Sequence, residues 1–267
     1  MARGNPWTAE GLPGRFDGAR IHLVVRTPDR LIVFDVDGTL TRTCRVDADC
    51  YAGALTEVFG LRDVDTDWSQ YHHVTDSAIL RQLIERAFGR APTTEERAAF
   101  ASRLCRLLTA VLDGSPDLAT EVPGASALLR ALAAEGRWAI ALASGALCCS
   151  VRLKLATAGL TEAMTLPCAT GDDGERREDI VGIAIARAAS AWQVNGFSRV
   201  VAVGDGVWDV RAARQLGMPF VGVSAERGAT ALVAAGAHSV LDDFTDLTDV
   251  RAVLEAARVP GSESASE

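Results

Sequence analysis

Residues 31–40 constrain the fold more than any other part of the sequence. In the sequence LIVFDVDGTL, an uninterrupted apolar run leads to two aspartates, one residue apart, and then to a glycine. Apolar runs of this kind are typical of buried strands in a parallel sheet. Ligands bind at the carboxyl ends of such strands, and two carboxylates there are costly unless a cation or a reaction requires them. The segment therefore predicts an α/β protein with an acidic functional site at this strand end.

Two later segments repeat this arrangement of an apolar strand with a polar end. Residues 200–209 contain the pattern G-D-x-x-x-D, which supplies Asp205 and Asp209. Residues 138–145 form an apolar run that ends in Ser144 and Gly145. Each segment alone is common, but three in one chain indicate a composite site at one edge of a sheet.

The first segment has two simpler explanations, a calcium-binding loop and a plain turn. A calcium loop of the EF-hand type has glycine at its sixth position and glutamate at its twelfth. Counted from Asp35, the glycine is fourth and Val46 is twelfth, so this kind of site is excluded. A plain Asp-Gly turn after a strand stays open when the segment is taken by itself.

In chain order, the three segments resemble motifs of the haloacid dehalogenase-like superfamily. The D-x-D-G-T-L pattern is similar to the first motif, Ser144-Gly145 to the second and G-D-x-x-x-D to the fourth, and the resemblance covers about residues 31–243. Most members are Mg²⁺-dependent phosphatases with an aspartate nucleophile. The resemblance implies a doubly wound, mostly parallel, Rossmann-like α/β core with an inserted α-helical cap domain, as in the phosphoglycolate phosphatase-like branch.

The resemblance also implies roles for individual residues. Asp35 would be both the nucleophile and a metal ligand. Asp37 would ligate the metal through its backbone carbonyl, while its side chain serves as general acid and then general base. Asp205 is implied to complete the Mg²⁺ site, and Asp209 is implied either to bind the metal or to orient a metal-bound water. The residues implied to bind the phosphoryl group are Thr39, Ser144 and Gly145.

The third motif departs from the family pattern. It is usually a lysine that balances the charges of nucleophile and phosphate, but the chain's one lysine, Lys154, follows Ser144 too closely. Arg177 resembles the arginine that some members carry at the expected place, and Arg176 is the fallback. The alternative is that both arginines are solvated surface charges.

Hydrophobic periodicity predicts the organisation of the chain. Apolar residues recur at helical spacing over 79–88 and 100–111, the second stretch after a start signal at 92–95, and a shorter helix is predicted over 51–59. These helices place a cap domain at 47–116 between core segments 30–46 and 117–258. An N-terminal extension is predicted at 1–29, with a possible edge strand at 21–25, and a disordered tail at 259–267.

Within the core segments, helices and strands alternate as in doubly wound folds. Predicted strands cover 138–143, 164–166 and 220–223, and predicted helices cover 125–135, 151–158, 178–192, 207–216 and 229–235. In the cap, His73 and Asp76 are predicted to face the leaving group of the substrate. Asp76 or Thr75 could instead simply cap the helix that follows.

Composition excludes several classes of partner. The net charge of −8 gives no basic surface for nucleic acid or an anionic membrane, and no apolar run is long enough to span a bilayer. The N-terminus has no signal-peptide core, and the six cysteines form no C-x-x-C pair. These features predict a cytoplasmic protein with reduced thiols, in which Cys148 and Cys149 are buried structural residues.

The predicted function is a Mg²⁺-dependent phosphatase for a small phosphorylated metabolite, of open oligomeric state. Dehalogenases of the superfamily lack the second aspartate of the first motif, so Asp37 argues against that activity. A phosphomutase would use the same aspartate pair and stays open. A non-catalytic binding module on this fold also stays open, although the four intact acids count against it.

Overall fold

The computed structural model describes residues 27–261. The edge strand predicted at 21–25 lies outside these residues, as do most of the predicted N-terminal extension and most of the tail that was predicted to be disordered. Within the described part of the chain, no helix is both long enough and apolar enough to cross a bilayer.

The core is a six-stranded, fully parallel sheet. Its strands are β1 Arg30–Phe34, β4 Trp138–Ala143, β5 Cys168–Ala169, β6 Arg199–Gly204, β7 Phe220–Val223 and β8 Val240–Leu241. The strand order is β5-β4-β1-β6-β7-β8, so β1 is central, with Ile32 opposite Ile140 on one side and Val201 on the other. A sheet of this order needs a crossover connection between neighbouring strands, as the α/β alternation of the sequence predicts.

Helices cover both faces of the sheet. The helices of the core are α4 Ala125–Glu135, α5 Cys148–Thr157, α6 Arg177–Ala191, α7 Val207–Gln215, α8 Ala229–Ala234 and α9 Leu247–Ala256. Ile32 and Phe34 of β1 pack with α4, α5 and α9, whereas Leu31 and Val33 pack with α6, α7 and α8. Each fully buried side chain of this size contributes roughly 1.5–3 kcal/mol, which explains why the run in β1 is apolar throughout. The predicted doubly wound fold is confirmed.

Three helices are inserted between β1 and α4, the core helix that precedes β4. They are α1 Cys44–Phe59, α2 Asp76–Phe88 and α3 Thr94–Gly114, and they bury a separate apolar cluster that includes Tyr51 and Phe100. The chain leaves and re-enters the core through a short antiparallel ribbon, β2 Thr41–Arg42 with β3 Thr120–Glu121. The predicted boundary at residue 47 falls inside α1.

Local signals in the sequence set the ends of the inserted helices. The Thr75 side chain accepts a hydrogen bond from the Ala78 N–H at the start of α2, and Gly89 ends that helix in the left-handed conformation. Thr93 and Glu96 form a reciprocal capping box at the start of α3. The start signal predicted at 92–95 is confirmed, and α2 ends where the apolar periodicity predicted over 79–88 ends.

The region around Pro167 differs from the prediction. Residues 164–166 were predicted as a strand, but the chain forms a 3-10 turn over Thr161–Thr165 that buries Ala163. Pairing with β4 begins only when the Pro167 carbonyl accepts the Leu142 N–H, because proline has no N–H of its own to donate. The strand is therefore displaced to β5. The terminal elements β8 and α9 were not predicted at all.

The cysteines also differ from the prediction. Cys105 of α3 and Cys149 of α5 form a disulfide, so the expectation that all six thiols are reduced is wrong for this pair. Cys148 and Cys149, in the first turn of α5, are exposed rather than buried. The cytoplasmic location remains a prediction.

Candidate active site

Three adjacent strand ends carry the polar residues that the sequence analysis selected. Asp35 follows β1, Ser144 follows β4 and Asp205 follows the last residue of β6, and these three strands are neighbours in the sheet. The parallel register brings all three ends to one edge, where they border a single cavity.

Three buried carboxylates meet at this edge of the sheet, and two of them, Asp35 and Asp205, line the cavity. Asp35, Asp205 and Asp209 each offer an oxygen atom, and these atoms lie within 4.8 Å of one another. Asp209 stands in the first turn of α7, where its Oδ2 accepts the Gly206 N–H at 3.0 Å. Oδ1 of Asp205 is buried without a hydrogen-bond partner among residues 27–261. A set of close carboxylate oxygens, one of them unpartnered, fits a hard divalent cation such as Mg²⁺.

Crowding of these acids changes their proton affinity. Burial raises the pKa of Asp35 well above its usual value, and the neighbouring acids Asp209, Asp205 and Asp37 raise it further against the opposing effect of Arg177. Burial together with Asp209 raises the pKa of Asp205 to about 7, although Arg227 opposes the shift. A cation in the cluster would relieve this repulsion and favour the ionised carboxylates.

Arg177 supplies positive charge to the acidic cluster. It begins α6, and its guanidinium donates from Nη2 to Asp35 at 3.0 Å and from Nε to Asp209 at 2.9 Å. Nη1 is buried with no hydrogen-bond partner within the described chain. Burial opposes the charged form, but the Asp209 and Asp35 carboxylates outweigh it and raise the pKa of Arg177. Arg176, the fallback, is exposed and pairs with Glu178.

Two glycines allow side chains to approach closely. Gly38 has a φ of +80°, and a Cβ there would lie 1.9 Å from Oδ2 of Asp205. At Gly145 a Cβ would lie 2.7 Å from Nη1 of Arg177 and 2.7 Å from the Val74 carbonyl. Neither position accommodates a larger residue unless the site shifts.

The predicted phosphoryl-binding residues lie near Asp35. The Thr39 hydroxyl is fully buried and 3.5 Å from Oδ2 of Asp35. Ser144 and Gly145 line the cavity, and the Ser144 Oγ accepts the Ala146 N–H at 3.2 Å.

Asp37 points away from the three-carboxylate cluster. One of its oxygens accepts from the Nζ of Lys154 at 2.6 Å, and Oδ1 accepts from the Thr43 hydroxyl at 2.6 Å. Lys154 also donates to Asp47 at 2.7 Å and is fully buried. Burial lowers the pKa of Lys154, but the Asp37 and Asp47 carboxylates outweigh it and raise the pKa overall. Neither Lys154 nor Asp47 is among the site residues that the sequence motifs predict.

The structure separates the two residues predicted in the insertion. Asp76 lines the cavity, and its Oδ2 accepts the Leu147 N–H at 2.8 Å while its own N–H donates to the Gly145 carbonyl at 2.8 Å. Thr75, not Asp76, caps α2. His73 borders other cavities, beside Arg176 and Glu178, and does not line the cavity of Asp35.

Aromatic and basic residues that the sequence analysis did not select complete the cavity wall. Trp68 from the insertion and Trp208 from α7 both line it. Arg227 donates from Nε to Oδ2 of Asp205 at 2.7 Å, and its guanidinium lies 5.0 Å from the centre of the Trp208 ring. Arg227 lies in the loop after β7 and could not be predicted as a site residue, because that loop carries no motif.

A family model described as haloacid dehalogenase-like hydrolase matches residues 30–217 of the chain. These residues include every acid of the cavity and all three inserted helices. No protein with a curated description matches the sequence.

Solved structures with the same fold have low sequence identity. A hydrolase from Pseudomonas syringae superposes with a TM-score of 0.63 at 21% identity, covering 82% of this chain and 96% of the other. A predicted phosphoglycolate phosphatase from Haemophilus somnus gives a TM-score of 0.57 at 18% identity, covering 85% and 99%. CbbY from Rhodobacter sphaeroides, solved in complex with phosphate, gives 0.56 at 19% identity, covering 82% and 96%. At these identities the likeness concerns the fold.

Proposed function

The chain belongs to the haloacid dehalogenase-like hydrolases, and from this premise we propose that it is a Mg²⁺-dependent phosphatase that acts through an aspartyl-phosphate intermediate. The substrate class is a small phosphorylated metabolite. The observation that carries the proposal is the contact of Arg177 with Asp35 and Asp209 at the edge of the three-carboxylate cluster. A cation beside a buried carboxylate reduces the electrostatic repulsion between that carboxylate and a phosphate dianion.

Asp35, Asp205 and Asp209 would hold Mg²⁺, with the backbone carbonyl of Asp37 as a further ligand. When bound, the ion supplies countercharge to the phosphoryl group and aligns it for in-line attack. The carboxylate-only donor set, without histidine or cysteine nitrogen or sulfur, supports Mg²⁺ over zinc.

The reaction has two steps on residues of this chain. In the first, a carboxylate oxygen of Asp35 attacks phosphorus, the bond to the leaving oxygen breaks, and Asp37 protonates that oxygen. In the second, Asp37 removes a proton from water, which attacks the phosphoryl group and releases Asp35. Arg177 would balance charge throughout, and Thr39, Ser144 and Gly145 would donate to the phosphoryl oxygens.

The inserted helices would act as a cap over this chemistry, with residues 47–116 as the proposed domain. Trp68, Asp76 and Ile79 of this segment line the same cavity as Asp35, which supports a role in substrate contact. No such contact supports a role for His73.

The test is a panel of phosphorylated metabolites assayed with and without Mg²⁺. Phosphate release that requires Mg²⁺ and falls by several orders of magnitude in Asp35→Asn is expected, because the amide keeps the shape of the carboxylate and loses its charge. Acid-quench labelling should trap phosphate on Asp35 in the wild-type protein. Transfer of the phosphoryl group to a second hydroxyl without net hydrolysis would instead identify a phosphomutase, and absence of all turnover would favour a binding module.

A further inference from the structure

Lys154 occupies an unusual position for a charged residue. It is the only lysine in the chain, it lies on α5, and none of its side chain is exposed. A buried ammonium group is costly unless it is paired and hydrogen-bonded. Its Nζ lies 2.6 Å from a carboxylate oxygen of Asp37 and 2.7 Å from Oδ1 of Asp47.

The contacts of Lys154 join three elements at the site. Asp37 belongs to the turn after β1, Asp47 to the first turns of α1, and Lys154 to the helix that follows Ser144. Asp47 is itself fixed by the Ser150 hydroxyl, which donates to Oδ1 at 3.0 Å. The Thr43 hydroxyl holds the Oδ1 of Asp37. The Asp37 carboxylate therefore has donors on two sides.

We propose that Lys154 is a positioning residue for Asp37, held in place by Asp47, and that it fixes the orientation in which Asp37 transfers protons. The inference rests on the proposed phosphatase function, in which Asp37 protonates the leaving oxygen. Precise placement of a proton donor requires a side chain whose rotamer is locked by its neighbours. Lys154 and Thr43 supply this restraint.

A purely structural ion pair and a positioning residue predict different kinetics. Loss of a structural pair lowers the activity on every substrate by the same factor. Loss of positioning affects mainly substrates whose leaving oxygen needs a proton, such as alkyl phosphates. The leaving group of p-nitrophenyl phosphate needs little protonation, so formation of its aspartyl-phosphate is insensitive to Asp37.

The first experiment compares Lys154→Met with wild type on glycerol phosphate and p-nitrophenyl phosphate. We expect kcat/KM on glycerol phosphate to fall about 10- to 100-fold in Lys154→Met. The rate constant of the p-nitrophenolate burst, which reports aspartyl-phosphate formation, should stay within about threefold of wild type. Asp37→Asn should give the same pattern, more strongly. Equal losses on both substrates would overturn the proposal. Arg187→Met is the control, because it removes an exposed ion pair between Arg187 of α6 and Asp173. It should leave the ratio of the rates on the two substrates unchanged.

A second variant covers failure of Lys154→Met to fold. That substitution leaves Asp37 and Asp47 close together without a cation, which is destabilising in a buried site. Lys154→Met combined with Asp47→Asn removes one of the two uncompensated charges and returns the group to the net charge of −1 that it has in the wild-type protein, so it should restore folding. If the proposal is correct, the double variant keeps the selective defect on glycerol phosphate. Recovery of wild-type rates on both substrates would overturn it.

The single lysine also provides a readout that does not depend on turnover. Protein labelled with ¹⁵N-lysine contains one side-chain amine, whose NMR signal reports its contact with Asp37. Asp37→Asn should shift this signal, and Arg187→Met should not. An unshifted signal in Asp37→Asn would overturn the proposal while leaving the phosphatase function intact. A shifted signal in a protein without phosphatase activity would instead show that the proposed function has failed.

Discussion

Nη2 of Arg177 lies 3.0 Å from Oδ1 of Asp35, and both side chains are buried. The pair links the start of α6 to the end of the central strand. Without Arg177, the carboxylates of Asp35 and Asp209 would lose their shared hydrogen-bond donor. This relationship makes Arg177 the residue whose removal tests the charge balance of the site most directly.

Substitution of Arg177 should lower activity in an order set by charge. Arg177→Ala should lower kcat/KM, with an increase in activation free energy of about 2–4 kcal/mol. This is comparable to the loss of one preorganised donor at a charged transition state. Arg177→Lys should retain more activity than Arg177→Gln, because the main requirement is positive charge. The measurement is steady-state kinetics with saturating Mg²⁺ on the best substrate of the panel.

Arg176→Ala is the matched control for the neighbouring position. Its side chain is exposed and pairs with Glu178, so its loss should be mild. An inactive Arg176→Ala beside an active Arg177→Ala would contradict the assignment.

Gly38 should be intolerant of a side chain for two separable reasons. Its φ of +80° strains any L-residue, and a Cβ would lie 1.9 Å from Oδ2 of Asp205. Gly60→Ala is the control, because Gly60 has a φ of +72° with no atom within 4 Å of its added Cβ. Gly60→Ala should cost about 1–2 kcal/mol of unfolding free energy, the cost of strain alone. Gly38→Ala should cost more and should also weaken Mg²⁺ binding, as measured by urea unfolding and calorimetric titration. Equal costs and unchanged Mg²⁺ affinity would contradict the clash.

Much of the core could be predicted because its apolar runs are buried from end to end. The prediction for β4 matches its observed bounds, and every residue of that strand is buried. The prediction for α4 also matches, since Gly124 and Gly136 bound its apolar face. By contrast, β8 was missed because a two-residue strand carries no periodicity of its own. The helix α9 was missed although its buried residues Val250 and Leu254 lie at helical spacing.

The acidic cluster could be predicted because strand ends carry it, whereas the contacts of Lys154 could not. Asp35 and Asp205 each follow an apolar run, and a parallel sheet brings such ends together. Lys154 and Asp37 are separated by 117 positions, and α5 gives no signal for which of its residues points inward. The pairing of Cys105 with Cys149 is equally non-local. Only the three-dimensional arrangement identifies these contacts.

The disulfide between Cys105 and Cys149 should couple stability to redox state. It ties α3 of the insertion to α5 of the core across 44 positions of sequence. Cross-links of this loop length stabilise a fold by about 2–4 kcal/mol, so Cys105→Ser should lower the unfolding free energy by this amount in oxidised protein. With reductant present, the variant and wild type should unfold alike. Thiol titration of unfolded wild type should find four free thiols before reduction. Six free thiols without reductant would show that the bond does not form.

The raised pKa of Asp205 should make stability and Mg²⁺ binding depend on pH in opposite directions. Burial and Asp209 raise this pKa to about 7 in the folded state, against about 3.9 in an unfolded chain. Between about pH 4 and pH 7 the folded protein therefore binds a proton that the unfolded chain has released. Without Mg²⁺, the free energy of unfolding should fall as pH rises through this window, and the raised pKa of Asp35 acts in the same direction.

Mg²⁺ competes with that proton, so the increase in Tm caused by Mg²⁺ should be larger at pH 8 than at pH 5. The measurement is thermal unfolding at both pH values, with EDTA or with Mg²⁺. Asp205→Asn cannot ionise at this position and should show a smaller loss of stability between pH 5 and pH 8 in EDTA. The same variant should also lose most of the Mg²⁺-induced increase in Tm, because one ligand of the cluster has become an amide. Equal stabilisation of the wild-type protein by Mg²⁺ at pH 5 and pH 8 would show that the ion does not bind at these carboxylates.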